Sequence, residues 1–179
     1  MNAIAQKEVN HAEQNAAGWA SSIAELVAAL ECDYDRLEEL RDERDAVDTP
    51  ETQAGFATFD ASDEGEELRE LEAACTIDGD KMKDADAVRE RIQESPLSVE
   101  VRSGWYSPGS EGNKPEEFCI LLSTGGPALR LCGDLDEYGQ PTRAYLQHQD
   151  WGTPWTDYYA GKGSGAVLLT FAQQFYFAD

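Results

Sequence analysis

Four cysteines and two histidines are the residues of this chain that could act as nucleophiles, bases or metal ligands. The cysteines occupy positions 32, 75, 119 and 132, and the histidines positions 11 and 148. They form no Cys-x-x-Cys motif and have no spacing typical of a zinc site, so we expect reduced, mostly buried thiols. Cys119 or Cys132 could meet His148 across neighbouring strands as nucleophile and base, which leaves a Cys/His-dependent enzyme as one alternative. Because no motif supports that pairing, we expect no enzyme, no catalytic or metal-binding residue and no cofactor.

Two glycine-containing segments are similar to binding loops only in part. The stretch that begins at Asp134 starts like a calcium loop, but Tyr138 and Tyr145 stand where an EF-hand needs an Asp or Asn and a Glu. Gly125 and Gly126 precede Pro127 without the Lys-Ser/Thr and opening helix of a phosphate loop. Both segments are therefore predicted to be hairpin turns.

Carboxylates dominate the chemistry of the surface. The chain has 36 Asp and Glu against 14 Lys and Arg, a net charge of −22. Residues 1–95 hold 26 of the acids and 9 of the bases, a net of −17, which leaves 10 − 5 = 5 negative charges for residues 96–179. Salt adaptation also produces acidic chains but spreads the charge evenly. The asymmetry predicts binding to a basic surface and no direct binding to nucleic acid or membranes.

The acidic residues form two clusters that we predict to bind a partner. The first has nine carboxylates, about one per 3 Å if it is helical, close to the 3.4 Å phosphate spacing of one DNA strand. It consists of Glu31, Asp33, Asp35, Glu38, Glu39, Asp42, Glu43, Asp45 and Asp48. Arg36, Arg41 and Arg44 reduce its net charge from −9 to −6, each three or four residues from an acid. The second consists of Asp60, Asp63, Glu64, Glu66, Glu67, Glu70 and Glu72 and contains only Arg69. Of this second cluster, the residues from Asp63 to Glu70 are the candidate partner-binding residues.

Aromatic residues are concentrated between positions 148 and 159. Trp151 and Trp155 stand among glycine and proline there, and Trp105 and Tyr106 precede them. These rings could form an exposed binding platform, because Trp and Tyr are frequent in binding hot spots, or they could cover the open face of a sheet. We keep Trp151 and Trp155 as candidate partner-binding residues.

The acidic half has a helical hydrophobic period. Apolar residues recur every three or four positions and predict one helix of about 27 residues over 21–47, capped by Ser21 or Ser22 and extended by the preceding Ala-rich stretch. Its stripe consists of Ile23, Leu26, Val27, Leu30, Tyr34, Leu37, Leu40 and Val47. A loop is predicted over 49–62 and helices over 64–75 and 84–94, with a turn at residues 78–80. The stripe can be buried in a helical hairpin or bundle, or in a homodimer.

The second half has the period of strands. Alternating or β-branched segments at 97–101, 118–122, 128–132 and 142–149 are separated by turns and predict an antiparallel meander. The last segment, from Ser164 onward, fits a helix slightly better than a strand. The predicted fold class is α+β: an acidic helical region over 1–95, then a small antiparallel sheet with a C-terminal helix over 96–179. The first residues lack the pattern of a signal peptide and no segment is long and apolar enough to span a bilayer, so we expect a cytoplasmic protein.

The segments 96–105, 150–155 and 168–176 resemble small uncharacterised proteins of phages and integrated mobile elements in proteobacteria. In size and charge the chain is similar to the acidic anti-restriction and anti-CRISPR proteins of such elements, several of which imitate DNA. The resemblance implies an inhibitor that occupies the nucleic-acid groove of a basic host defence protein by steric and electrostatic occlusion. The competing hypothesis is a structural or assembly module whose acidic face only keeps the protein hydrated.

Overall fold

The computed structural model describes residues 10–47, 53–109 and 114–177, and over these ranges the chain has an α+β fold, as predicted. The helices are α1 His11–Leu30, α2 Tyr34–Ala46, α3 Gln53–Asp60, α4 Asp63–Ala74, α5 Ala85–Glu94 and α6 Ser164–Ala172. The strands are β1 Thr76–Ile77, β2 Asp80–Lys81, β3 Ser98–Arg102, β4 Glu117–Ser123, β5 Ala128–Leu135, β6 Pro141–Gln149 and β7 Thr156–Tyr158.

Close contacts group the chain into two units. One consists of residues 1–24 together with 93–179, and the other of residues 25–92. The first contains the five-stranded sheet and α6, and the second contains α2 to α5 with the small β1–β2 hairpin. The predicted boundary between residues 95 and 96 stays a prediction.

The single helix predicted over residues 21–47 is wrong, because two helices occupy this segment. Residues 31–33 separate α1 from α2. The carboxylate of Asp33 accepts the backbone N–H of Arg36 at 3.0 Å and so caps α2. An Asp at this position satisfies an amide that the start of a helix leaves free, so it favours a new helix start over continuation of α1.

The first helix begins earlier than its predicted cap. The side-chain oxygen of Asn10 accepts the backbone N–H of Ala12 at 3.1 Å and defines the start of α1. Ser21 and Ser22 therefore lie inside α1 and do not cap it. The predicted extension into the Ala-rich stretch is confirmed from His11 onward, while residues 1–9 lie outside the described ranges.

The unit formed by residues 25–92 contains an apolar cluster between α2, α3 and α4. Leu37, Leu40, Leu68 and Cys75 are buried in it, and Phe59 packs against them. The predicted loop over 49–62 is wrong where α3 occupies residues 53–60. Packing of the partly buried Phe59 against this cluster outweighs the helix-breaking signals of the neighbouring sequence, since tertiary packing often overrides local propensity.

The helices predicted over 64–75 and 84–94 are confirmed as α4 and α5. The side chain of Ser62 caps α4 by accepting the backbone N–H of Gly65 at 3.2 Å. The turn predicted at residues 78–80 is also confirmed, as the connection between β1 and β2, with positive φ at Asp78 and Gly79.

The sheet is an antiparallel meander with strand order β3-β4-β5-β6-β7, as predicted for its first four strands. The short strand β7 was not predicted separately within the aromatic segment 148–159. On one face of β4, β5 and β6 the side chains of Ile120, Leu131 and Leu146 are fully buried. Helix α6 packs against β6 and buries Phe171, which confirms the predicted C-terminal helix. It ends at Ala172, before the last aromatic residues of the predicted pattern.

Candidate protein-interaction surface

The arginines of α2 bind carboxylates on other helices. Arg36 Nη2 lies 2.9 Å from Glu67 Oε2, and Arg41 Nη2 lies 3.1 Å from Glu72 Oε1. In addition, the Nε atom of Arg44 lies 3.2 Å from a carboxylate oxygen of Asp60, the last residue of α3. The three bases therefore connect α2 to α3 and α4.

Arg36 also pairs with carboxylates along α2 itself. Its Nη1 atom lies 3.3 Å from Glu39 Oε2 and 3.9 Å from Glu43 Oε1. Arg41 and Arg44 form their ion pairs with α4 and α3, although the sequence also allowed them partners within α2. The arginines of α2 therefore neutralise fewer carboxylates of α2 itself than their number suggested.

These ion pairs keep the shared carboxylates ionised. Hydrogen bonds from Arg36 lower the pKa of Glu67. The pKa of Glu72 is lowered by hydrogen bonds from Lys81 and then Arg41, whose nitrogens lie 2.9 and 3.1 Å from Glu72 Oε1. Opposite charge and hydrogen bonding both favour the charged form of a carboxyl group.

Four carboxylates form a row on the outward side of α2, which we call the α2 acidic row: Asp35, Glu38, Asp42 and Asp45. All four residues are exposed. Their spacing of three, four and three residues places them within about 80° of the helix circumference, opposite the buried leucines of α2. Over about 15 Å of helix this is one charge per about 5 Å. Among the described residues, no basic side chain forms a salt bridge with any of the four.

The α2 acidic row is shorter than the predicted cluster. Glu31 lies in the break between α1 and α2, and the carboxylate of Asp33 caps α2. Glu39 and Glu43 contact Arg36 beside the row. Asp48 lies outside the described residues. The predicted run of nine carboxylates on one continuous helix is thus wrong, because α1 and α2 are separate helices.

A second group of exposed carboxylates lies on α4. Asp63, Glu66 and Glu70 follow a spacing of three and four residues on the side of α4 away from buried Leu68. Glu64 belongs to the start of the helix, where hydrogen bonds from its own backbone N–H and from Ser62 lower its pKa. Since α4 packs on α2 within one unit, both groups stand on a single packed scaffold.

The aromatic candidates lie in two different environments. Trp151 is 78% exposed and packs on the backbone of Gly126, where an added Cβ would stand 1.9 Å from the indole nitrogen. Trp155 is half-buried, and the guanidinium carbon of Arg130 lies 4.2 Å from its ring centroid. Trp155 thus covers part of the sheet, whereas Trp151 is free to contact a partner, as are the exposed Trp105 and Tyr106.

Comparison with known proteins assigns this chain to no family. No family model, no curated protein and no solved structure matches it. The resemblance to mobile-element proteins therefore stays a prediction. No described helix has both the length and the apolarity needed to cross a bilayer.

The strand register contradicts the alternative in which Cys119 or Cys132 meets His148. Cys132 is directly opposite Tyr145 in the β5–β6 register. His148 follows Tyr145 by three residues, and because successive side chains of a strand alternate between faces, it points to the other side of the sheet. The sheet separates His148 from both Cys119 and Cys132.

The cysteines instead meet each other. Cys119 on β4 is directly opposite Cys132 on β5, and their Sγ atoms are 3.6 Å apart. The thiol of Cys132 donates to Cys119 and, with the nearby cation of Arg130, lowers the pKa of Cys119 to about 7, while the same contact raises the pKa of Cys132. Next to the turn Ser123 pairs with Leu129, and a bulge between Leu121 and Ser123 shifts the register so that Cys119 lies opposite Cys132. Counting from the Gly125–Gly126 turn therefore did not determine this contact.

Proposed function

We propose that this chain is an inhibitor that binds the nucleic-acid groove of a basic protein and blocks it without turnover. The observation that carries the proposal is the separation of charge on α2. The α2 acidic row faces outward without internal ion pairs among the described residues, while Arg36, Arg41 and Arg44 bind carboxylates of α3 and α4. A cationic groove would therefore meet an acidic surface that the arginines of the helix do not neutralise.

Rigid presentation of these charges supports tight binding. The carboxylates stand on helices that pack around Leu37, Leu40 and Leu68, and the Arg36 and Arg41 ion pairs join α2 to α4. A preorganised surface loses less conformational entropy on binding than a flexible acidic tail. Complementary charge also accelerates association and makes it sensitive to ionic strength.

The sequence resembles mobile-element proteins, and we therefore place the target among host defence proteins that bind DNA or RNA. Such proteins are the targets of anti-restriction and anti-CRISPR proteins. The exposed Trp151 is a further candidate contact, of apolar character, as aromatic residues are in binding hot spots. In this proposal the sheet unit contributes contact specificity.

The alternative function, assembly through the hydrophobic stripe that begins at Ile23 and ends at Val47, has less support. Ile23, Leu37 and Leu40 are almost completely buried within a single chain. A homodimer through that stripe would first have to expose these side chains to water, at a cost that grows with the apolar area exposed. The exposed acidic surface needs no such rearrangement.

Affinity capture from a host lysate at low salt, followed by elution with rising salt, would identify the target. With the purified target, we expect the dissociation constant to rise by about tenfold or more between 50 and 200 mM salt, because screening weakens each exposed charge contact. A DNA or RNA ligand of the target should compete with the chain for binding. A flat salt response, or simultaneous binding of chain and nucleic acid, would contradict the proposal.

A further inference from the structure

The thiols of Cys119 and Cys132 share the face of the sheet that does not carry the buried core. Their residues are directly opposite in the β4–β5 register, with 3.6 Å between the sulfur atoms. Directly opposite residues of antiparallel strands have Cα atoms about 4.5 or 5.5 Å apart, and both values lie within the range of about 4.4 to 6.8 Å that a disulfide spans. The backbone therefore already has the separation that a covalent S–S bond requires.

The surroundings of this pair leave it accessible and polar. A depression of about 440 Å³ lies over it, lined on neighbouring strands by Arg130, Tyr145 and Gln147, among others. Arg130 donates to Gln147 Oε1 from Nε at 2.9 Å and from Nη2 at 2.7 Å, which holds its cation beside the thiols. Cys119 is partly exposed, whereas Cys132 is buried, with 8% of its surface exposed. A small reagent can therefore reach Cys119, with Cys132 next to it.

We propose that Cys119 and Cys132 form a redox-active dithiol, which a peroxide converts to a cross-strand disulfide and a thiol reductant restores. This assigns a reversible oxidation site to the open face of the sheet, and it does not depend on the proposed inhibitory function. Cys119 is the residue that reacts first, and Cys132 is the residue that resolves the intermediate.

The reaction balances with the peroxide as the two-electron oxidant. The thiolate of Cys119 attacks one peroxide oxygen, the O–O bond breaks, and the departing hydroxide takes a proton to become water, which leaves a sulfenic acid on Cys119. The sulfur of Cys132 then attacks Cys119 Sγ, the S–O bond breaks, and the thiol proton of Cys132 leaves with that oxygen as a second water. A dithiol reductant reverses the product by thiol–disulfide exchange.

The same chain contains a matched control pair. Cys32 lies against Cys75, whose side chain is completely buried, and burial together with the neighbouring Cys75 raises the pKa of Cys32. Both pairs thus place two sulfurs close together, but the pKa of Cys119 is lowered to about 7 by the adjacent thiol donor and the cation of Arg130, whereas burial outweighs the cation of Arg41 and raises the pKa of Cys32. Thiolate character and access decide which pair reacts.

The test treats the full chain with hydrogen peroxide, blocks the remaining thiols and digests it with trypsin. Cleavage after Arg130 places Cys119 and Cys132 on separate peptides, 103–130 and 131–143. We expect these peptides to appear joined, with a mass lower by about 2 Da for the two lost hydrogens, and to separate after reduction with dithiothreitol. Before oxidation, Cys119 should alkylate at pH 7 about fivefold faster than Cys32 or more, since its larger thiolate fraction outweighs its lower nucleophilicity.

Variants separate the proposed roles. C119S and C132S should each abolish the joined peptides, while a C32S/C75S variant should form them at the rate of the unmodified chain. Comparison of alkylation rates within the unmodified chain requires no variant, so the proposal remains testable if a substitution impairs folding. It is overturned if both thiols still alkylate fully after peroxide treatment, if Cys119 is over-oxidised without a joined product, or if Cys32 and Cys75 are linked first.

Discussion

The guanidinium of Arg36 on α2 binds the carboxylate of Glu67 on α4, with Nη2 and Oε2 2.9 Å apart. This contact brings together the first and second acidic clusters of the sequence. It also directs one of the three bases of α2 toward another helix, as do the ion pairs of Arg41 and Arg44. The outward side of α2 is therefore more acidic than the net charge of the helix indicates.

Neutralising part of the α2 acidic row should weaken target binding. The triple variant E38Q/D42N/D45N removes three exposed charges and no described ion pair. We expect the dissociation constant for the target to rise by about tenfold at low salt, because several complementary charge contacts are lost together. Isothermal titration calorimetry at 50 mM salt would measure it, with circular dichroism to verify that the helices remain.

A charge-matched control decides whether position or only net charge matters. The variant E90Q/E94Q/E137Q also removes three exposed carboxylates, none of them on α2 or α4. It should leave the affinity within about twofold of the unmodified chain, since none of the three carboxylates belongs to the proposed binding surface. Equal weakening by both triple variants would refute a defined binding surface and favour a nonspecific effect of net charge.

Substitution by alanine should have opposite effects on stability at two glycines. Gly18 is exposed in the middle of α1, with no atom within 4 Å of an added Cβ, so Gly18→Ala should increase the free energy of unfolding by about 0.5 to 1 kcal/mol. An added Cβ at Gly65 would stand 2.1 Å from the backbone oxygen of Phe59. Gly65→Ala should therefore lower stability by about 1 to 3 kcal/mol despite its higher helix propensity.

Urea unfolding monitored by far-ultraviolet circular dichroism would measure both effects. Each substitution serves as the control for the other, because the chemical change is identical and only the surroundings differ. If Gly65→Ala were as stabilising as Gly18→Ala, α3 and α4 would not approach as closely at Phe59 as the structure shows.

The cap of α2 should contribute measurably to stability. Asp33→Ala removes the oxygen that accepts the N–H of Arg36, and we expect a loss of about 1 kcal/mol in the free energy of unfolding. Asp42→Ala, at an exposed position inside the same helix, is the control and should change stability by less than about 0.5 kcal/mol. Comparable losses from both substitutions would argue against Asp33 as the residue that starts α2.

Stability should decrease in acid partly through Glu67. Its pKa in the folded chain is lowered below the ordinary value of 4.5, so the unfolded chain binds the proton more tightly. The stabilisation is fully present above pH 4.5 and is lost as the pH falls through the lower, folded-state pKa. Urea midpoints measured from pH 7 to pH 3 should therefore fall in this acidic window.

The variant R36Q removes the cause of that pKa shift. Its urea midpoint should be lower than that of the unmodified chain at pH 7, and the difference should shrink as the pH falls through the folded-state pKa of Glu67, because protonation removes the charge that Arg36 binds. A constant difference between the two proteins across the whole pH range would show that Arg36 acts through packing and not through the charge of Glu67.

Local patterns were sufficient to predict much of the fold. Alternation of apolar side chains located β3 to β6, and a helical period located α4, α5 and α6, because both signals depend on neighbours within one element. The break before α2 was missed, since a helical period continues in the sequence through residues 31–33. Helix α3 was missed because the packing of Phe59 outweighs the local helix-breaking residues.

The sequence by itself determined that the chain is strongly acidic, that the acid is concentrated in its first half and that an α+β fold follows. Only the tertiary structure decided which charges face outward and which side chains share a site. The direction of Arg36 depends on α4, 31 residues away, and the separation of His148 from Cys132 depends on strand register. Contacts of this kind arise from packing between distant segments, which no local period encodes.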